Sequence, residues 1–154
     1  MTTEKVQDGA ITAAKFAAGA AATESTAGIL AIATQADMEA GSSTAVAVTP
    51  GRQHHHPSAA KGWAKFNLAG AINASYNVSS VTDNDVGKAT VNWNTDFSSV
   101  HYAVVATAHS EGARYCTVRP SGQLVGAVEI WCWNGILGVL VDPDFYSVHA
   151  FGDQ

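Results

Sequence analysis

The feature that most constrains the fold of this chain is a strict alternation of polar and apolar side chains over residues 88–93, KATVNW. A period of two is that of a β-strand with one buried face. The predicted inward residues are Ala89, Val91 and Trp93. Residues 76–79 alternate in the same way, and residues 83–87 between the two runs are rich in Asp, Asn and Gly, which favour chain reversal. Residues 74–97 therefore predict a β-hairpin.

Four residues have defined positions in this predicted hairpin. Tyr76 and Val78 are expected to face the core, because they alternate with polar neighbours. Asn84 and Gly87 are expected to adopt the left-handed backbone conformation that the turn needs.

The remainder of the chain after residue 60 predicts further short strands at regular spacing. They are residues 63–68, 101–107, 114–118, 125–133, 136–141 and 145–151. Residues 101–107 are apolar on both faces, which predicts a strand covered on both sides. Asn134-Gly135 between two apolar runs predicts a tight hairpin turn. About eight strands with no helical period among them indicate an all-β fold, an antiparallel β-sandwich or barrel.

The aromatic residues mark a domain boundary near Pro57. The chain has five Phe, four Tyr and four Trp, and only Phe16 among them precedes Pro57. Residues 1–57 are rich in Ala and Gly and lack the large side chains that a core of their own needs. We therefore predict an extended, partly helical attachment and trimerisation segment at 1–57 and the β domain at 58–154. A flexible Ala/Gly tether is the alternative interpretation of the first segment.

A short helix is predicted within the first segment, at residues 34–41. Thr34 is a suitable N-cap, Asp37 occupies the capping-box position, and Gly41 supplies the C-terminal stop.

The charge of the chain excludes some classes of function. Charged residues make up 14% of the chain, against about a quarter in typical soluble domains, and the net charge is −5. This composition favours a surface of uncharged polar groups or one partly covered by other subunits. The acidic balance argues against nucleic-acid binding, which normally needs a basic face. No apolar run is long enough to cross a bilayer and no secretory signal is visible, so we expect synthesis in the cytoplasm.

No catalytic constellation is recognisable, so an enzyme is not predicted. Gly-x-Ser-x-Gly, phosphate-loop and His-Glu-x-x-His motifs do not occur. Asp83, Asp85 and Asp96 are the carboxylates that glycan cleavage would use, but turn formation already explains Asp83 and Asp85. Cys116 and Cys132 are interpreted as free thiols on neighbouring strands, because disulfide frameworks in small secreted proteins use more cysteines.

Two groups of residues are candidates for a receptor-binding surface. Trp131 and Trp133 alternate with Ile130 and Cys132, so the tryptophans face outward if the other two face the core. Aromatic faces stack on sugar rings and anchor interfaces. The second group consists of the predicted loop residues Arg114, Tyr115 and Arg119. The alternative for the tryptophan strand is burial of both faces within a trimer.

Residues 54–56 are three consecutive histidines, and they are the one place where a metal ion is considered as a cofactor. On an extended chain His54 and His56 would point to the same side, so a trimer would place six imidazoles around a threefold axis. A solvated polar hinge ahead of the β domain is the alternative.

Several strings in the sequence resemble tailed-bacteriophage tail-fibre proteins. KGWAKFN at residues 61–67, SYNVSSVTDN at 75–84 and FYSVHAFGDQ at 145–154 are similar to the module that ends many such fibres. Residues 6–21 resemble a unit that recurs in fibre shafts, and residues 28–50 resemble the linker ahead of fibre tips. Two departures from the tip module are Asp85-Val86 for the usual Gly-Thr and Trp93 for the usual Phe. Both keep the turn and the apolar position.

This resemblance implies a structural protein of the virion, a homotrimeric tail fibre made in the cytoplasm of the bacterial host. Its tip would recognise a glycan or protein on the host surface, and its N-terminal segment would contact other tail or capsid proteins. Several copies would multiply weak single contacts into useful avidity. The alternative is an adaptor or a head or tail decoration protein of a phage-like particle, with no receptor binding of its own.

Overall fold

The computed structural model describes residues 30–154, and the chain divides into two units, Met1–His56 and Pro57–Gln154. The shaft-like unit predicted at residues 6–21 lies outside the described residues.

The described part of the first unit contains a capped helix and a short parallel strand pair. Its elements are β1 (Ala31–Ile32), α1 (Gln35–Ala40), β2 (Val46–Ala47) and α2 (Pro50–Gln53), with β1 paired to β2. The predicted capping box is present: the Thr34 side chain accepts from the Asp37 backbone N–H, and the Asp37 carboxylate accepts from the Thr34 backbone N–H. Gly41, at φ 62°, ends the helix in the left-handed conformation as predicted.

The second unit is built from antiparallel strands. They are β3 (Gly62–Asn67), β4 (Ile72–Tyr76), β5 (Val78–Asp85), β6 (Lys88–Trp93), β7 (Ala103–His109), β8 (Arg114–Leu124), β9 (Ala127–Asn134) and β10 (Phe145–Phe151). One sheet has the order β4-β3-β10-β7 and the other the order β5-β6-β9-β8, with every pairing antiparallel. The described chain is therefore mostly β with antiparallel sheets, and this part of the fold prediction is confirmed.

The inward faces of both sheets contribute to one hydrophobic core. The first sheet supplies Ala64, Phe66, Tyr146, Val148 and Ala150, and the second supplies Ala89, Val91, Trp93, Val128, Ile130 and Cys132. Phe66 and Tyr146 stack with ring centroids 4.9 Å apart. Burial of a side chain of this size stabilises the folded state by about 1.5–3 kcal/mol. The predicted inward set on β6 is confirmed, since its three residues are buried.

The chain passes from one sheet to the other at Asn77. Its backbone φ is 56°, and its side chain both donates to the Thr95 carbonyl and accepts from the Thr95 N–H. The prediction of a single strand over residues 76–79 is therefore wrong: Tyr76 ends β4 in the first sheet and Val78 begins β5 in the second. Tyr76 is 45% exposed rather than inward, because its register partner Trp63 lies on the opposite face of β3 from the buried Ala64.

The predicted hairpin turn lies between β5 and β6. Gly87 has φ 69° as predicted, and a Cβ there would lie 2.6 Å from the Val141 backbone nitrogen, so close approach also requires glycine. Asn84 does not have the left-handed backbone that was predicted. It remains within β5, where its side-chain amide donates to the Thr90 hydroxyl at 2.7 Å.

Two further strand predictions are wrong. The prediction of a strand covered on both faces at residues 101–107 is wrong, because only alternate residues of β7 pack against the core and Val105 on the other face is 56% exposed. Residues 136–141 form a loop joined to β9 by one bridge, Trp133 to Leu140. The Asn134 carboxamide oxygen accepts from the N–H groups of Ile136 and Leu137, and β9 is already paired with β6 and β8.

Candidate binding surface

The sheet position of β9 determines which of its side chains reach solvent. β9 lies between β6 and β8, and its even-numbered residues Ile130 and Cys132 are fully buried. Trp131 and Trp133 are partly exposed on the opposite face. The predicted division of this strand into an inward aliphatic set and an outward aromatic pair is therefore present in the described structure.

A third ring joins the two tryptophans from the neighbouring strand. Tyr115 on β8 is opposite Trp133, with the rings 12° from parallel and their centroids 6.5 Å apart. The Trp131 and Trp133 centroids are 5.9 Å apart. We call Trp131, Trp133 and Tyr115 the aromatic row. Members of both groups predicted from sequence, the two tryptophans and Tyr115, thus meet on one outward sheet face.

Both indole N–H groups of the aromatic row have acceptors within the protein. Trp131 Nε1 donates to Glu129 Oε1 at 2.8 Å, and Trp133 Nε1 donates to Thr117 Oγ1 at 3.0 Å. These bonds hold the rings in defined orientations before any ligand arrives. Little ordering of the rings is then required on binding, which favours affinity.

Charged side chains flank one end of the row. Arg119 Cζ lies 5.6 Å and Lys88 Nζ 5.8 Å from the Trp131 ring centroid, within the range of cation–π attraction. Arg119 Nη1 also bonds Glu129 Oε2 at 2.8 Å. Burial tends to raise the pKa of Glu129, but the hydrogen bonds from Trp131 and Arg119 and the two nearby cations outweigh it, so the pKa is lowered. Glu129 is therefore ionised at neutral pH.

The aromatic row lines an open groove of about 450 Å³. Its other lining residues include Thr117, Arg119, Pro120 and Gly138. The groove combines apolar ring faces with a few fixed polar groups, which is the usual composition of a small-ligand or sugar subsite.

The predicted residue Arg114 lies apart from this groove. Exposure alternates along β8, so Tyr115 and Arg119 share the outward face. Arg114 lies on the opposite face of the strand. Arg114 Nη1 donates to the carbonyl of Ala113. Sequence reasoning missed Lys88, Glu129 and Thr117, although the alternation that places Trp131 outward also places Glu129 there.

The histidine run has a different backbone from the one assumed in the metal prediction. His54 has φ −57° and ψ −32°, and the N–H groups of His55 and His56 bond to carbonyls three residues earlier. The run is therefore a helical turn that continues α2, and the extended alternation that aimed His54 and His56 to one side is wrong. Within residues 30–154 no group of three or more His, Cys, Asp or Glu side chains is placed to hold a metal ion.

Of the three carboxylates considered for glycan cleavage, Asp85 has clear structural partners. Asp85 accepts from the Val86 N–H at 2.9 Å and bonds Lys88 Nζ at 3.2 Å. The backbone bond and the lysine lower the pKa of Asp85, which is opposite to what a general acid needs.

Comparison with known proteins gave no match to a family model, a curated protein or a solved structure. No helix within the described residues is both long and apolar enough to span a bilayer.

Proposed function

We propose that the protein is a structural component of a tailed-phage virion, a homotrimeric tail fibre whose β-sandwich tip binds a host-surface glycan. The observation that carries this proposal is the aromatic row, three neighbouring rings on the outward face of a sheet. The sequence resemblance over residues 75–93 supports the virion class.

The chemistry of the groove suits a sugar. The C–H face of a pyranose stacks on an aromatic ring, and its hydroxyls exchange hydrogen bonds with nearby polar groups. Trp131 and Tyr115 offer partly exposed rings, while Arg119 and Thr117 offer hydrogen-bonding groups at the groove wall. A single such contact is weak, and three copies per fibre would supply avidity.

Assembly as a trimer accounts for the composition. Apolar outward residues that become subunit interfaces leave less need for charged surface, in keeping with a charged fraction of 14%. The N-terminal segment would join the fibre to other virion proteins. The protein would be made in the cytoplasm of the host bacterium, bind no nucleic acid and catalyse no reaction.

Two measurements test the proposal. The purified protein is applied to an array of bacterial lipopolysaccharides and capsular polysaccharides, together with Trp133→Ala and with Val105→Ala, a control on the exposed face of β7. We expect the wild type and the control to bind the same glycan and Trp133→Ala to lose at least tenfold in affinity. Light scattering should give three times the chain mass of 15.9 kDa. A monomer that binds no glycan would contradict the proposal.

An adaptor or decoration role is the second candidate, and one observation favours it. The loop after β9 exposes Ile136, Leu137 and Val139 by 83%, 70% and 51%. Exposed apolar side chains of this kind are common where another protein docks. An adaptor would show no glycan binding, and its affinity for virion proteins would fall in Leu137→Ser but not in Trp133→Ala.

A further inference from the structure

The two cysteines of the chain are direct neighbours across two strands. Cys116 on β8 is opposite Cys132 on β9, and both are free thiols. Cys132 is fully buried, and Cys116 is partly buried and packs against the same core. Both thiols therefore lie on the inward face, directly behind the sheet face that carries the aromatic row.

The backbone hydrogen bonds of Cys132 define the type of pairing. Its N–H donates to the Gly87 carbonyl at 2.7 Å, and its carbonyl accepts from the Val141 N–H at 3.1 Å. Both backbone groups of Cys132 therefore point away from β8. Gly135 N–H donates to the Ala113 carbonyl, which confirms that the odd-numbered residues of this region bond toward β8. Cys116 and Cys132 thus form a non-hydrogen-bonded pair.

This type of pair is the one whose side chains approach most closely. Opposite residues of a non-hydrogen-bonded antiparallel pair have Cα atoms about 4.5 Å apart, against about 5.5 Å for a hydrogen-bonded pair. Disulfides span Cα separations of roughly 4.4 to 6.8 Å. The typical Cα separation of this type of pair therefore falls within the range that a disulfide spans.

The sheet edge gives access to one of the two thiols. β8 is an edge strand, and Cys116 is only partly buried on it. Burial and the adjacent Cys132 raise the pKa of Cys116 to about 12, and burial also raises the pKa of Cys132. Few thiolates exist at neutral pH, so oxidation is expected to be slow there and to accelerate as the pH rises.

We infer that Cys116 and Cys132 are a disulfide-forming pair, oxidised by thiol–disulfide exchange with a small-molecule disulfide such as oxidised glutathione. Cys116 loses its proton to solvent and attacks one sulfur of the small disulfide, which releases one small thiolate. Cys132 then loses its proton and attacks the Cys116 sulfur of the mixed disulfide, which releases the second thiolate. The protein loses two protons and two electrons, and the small disulfide is reduced to two thiols.

The bond would tie the edge strand to β9 beneath the groove. It would lie between the register pairs Tyr115–Trp133 and Thr117–Trp131, so it would limit separation of the strands that hold the aromatic row. A virion released from a reducing cytoplasm would acquire this bond outside the cell. That timing rests on the proposed function, whereas the thiol chemistry does not.

The test begins with the fully reduced, full-length protein. One sample is kept folded in oxidised glutathione at mildly alkaline pH, and a second is denatured and refolded in the same buffer so that access does not limit the reaction. After acid quenching, free thiols are counted with a maleimide in denaturant. Cleavage after Glu129 separates the two cysteines, and mass spectrometry then identifies any link between the peptides.

We expect both thiols to be lost, the two peptides to be joined, and the thermal midpoint of the oxidised protein to exceed that of the reduced protein by several degrees. Cys132→Ala should instead carry one glutathione on Cys116 and show no such rise. The inference is wrong if the refolded sample retains two free thiols, carries only mixed disulfides or links only separate chains.

Discussion

The inner and outer faces of β9 come from alternate residues of one strand, yet they have different physical roles. The inner residues Val128, Ile130 and Cys132 are fully buried, and packing alone explains the identity of Val128 and Ile130. On the outer face, Trp131 and Trp133 remain partly exposed and are held by hydrogen bonds to neighbours. Because their rings are only partly buried, they contribute less to folding than fully buried side chains of the same size would. The outer face is therefore where a binding function is expected.

The largest expected difference between the faces is in stability. Ile130→Ala should lower the free energy of unfolding by about 2–5 kcal/mol, because it leaves a cavity in the shared core. Trp131→Ala, one residue along the same strand, should cost only about 1 kcal/mol, since solvent replaces part of what the ring contacted. Urea unfolding measures both values. Equal costs would mean that the outer face is also structural.

Added side-chain volume should also destabilise the core more than the solvent face, here on β3 and β7. A Cβ at Gly62 would lie 2.7 Å from the Trp93 ring in the core, so Gly62→Ala should cost about 1–3 kcal/mol. Val105→Ile, on the exposed face of β7, adds one carbon outward and should change stability by less than about 0.5 kcal/mol. Thermal unfolding of the two variants provides the comparison, and an unaffected Gly62→Ala protein would show that the core is loosely packed.

Acid should weaken the outer face. The pKa of Glu129 is lowered in the folded state from its ordinary value of 4.5, so ionised Glu129 stabilises the fold at neutral pH. That contribution is present above the ordinary value of 4.5 and is lost as the pH falls below 4.5 and through the folded-state pKa. In Glu129→Gln the decrease in stability between pH 7 and pH 3 should be smaller than in the wild type. An identical pH profile would contradict a stabilising role for this carboxylate.

The smallest effect is expected from one acceptor on the outer face. Thr117→Val preserves the shape of the side chain but removes the oxygen that accepts from Trp133 Nε1. The free energy of unfolding should fall by about 0.5–1 kcal/mol, and the mobility of the Trp133 ring should increase. Fluorescence anisotropy in a variant that retains only this tryptophan measures the ring motion. Thr117→Ser, which keeps the hydroxyl, is the control.

Much of the fold was predictable because β periodicity is a local signal. Alternation over residues 88–93 predicted the buried face of β6, and the capping residues Thr34 and Asp37 predicted the start of α1. The errors occur where neighbouring strands decide whether a segment becomes a strand. Nothing local shows that β9 already has partners on both sides, so the apolar residues 136–141 were predicted as a strand.

Part of the candidate site was likewise predictable from local sequence, and part depended on the pairing of strands. Alternation was enough to predict that Trp131 and Trp133 face opposite to Ile130 and Cys132, whereas the structure showed which of the two faces is the core. The sequence did not show that Tyr115 would be opposite Trp133, because register between strands is a property of the assembled sheet.

The sequence by itself determined the strand periods, the capped helix and the placement of the tryptophans on the opposite strand face from Ile130 and Cys132, since each depends on residues within a few positions of one another. Only the tertiary structure decided the sheet change at Asn77, the groove formed by the aromatic row, and the pairing of Cys116 with Cys132. These features join residues that are distant in the chain, and strand register and sheet stacking bring them together.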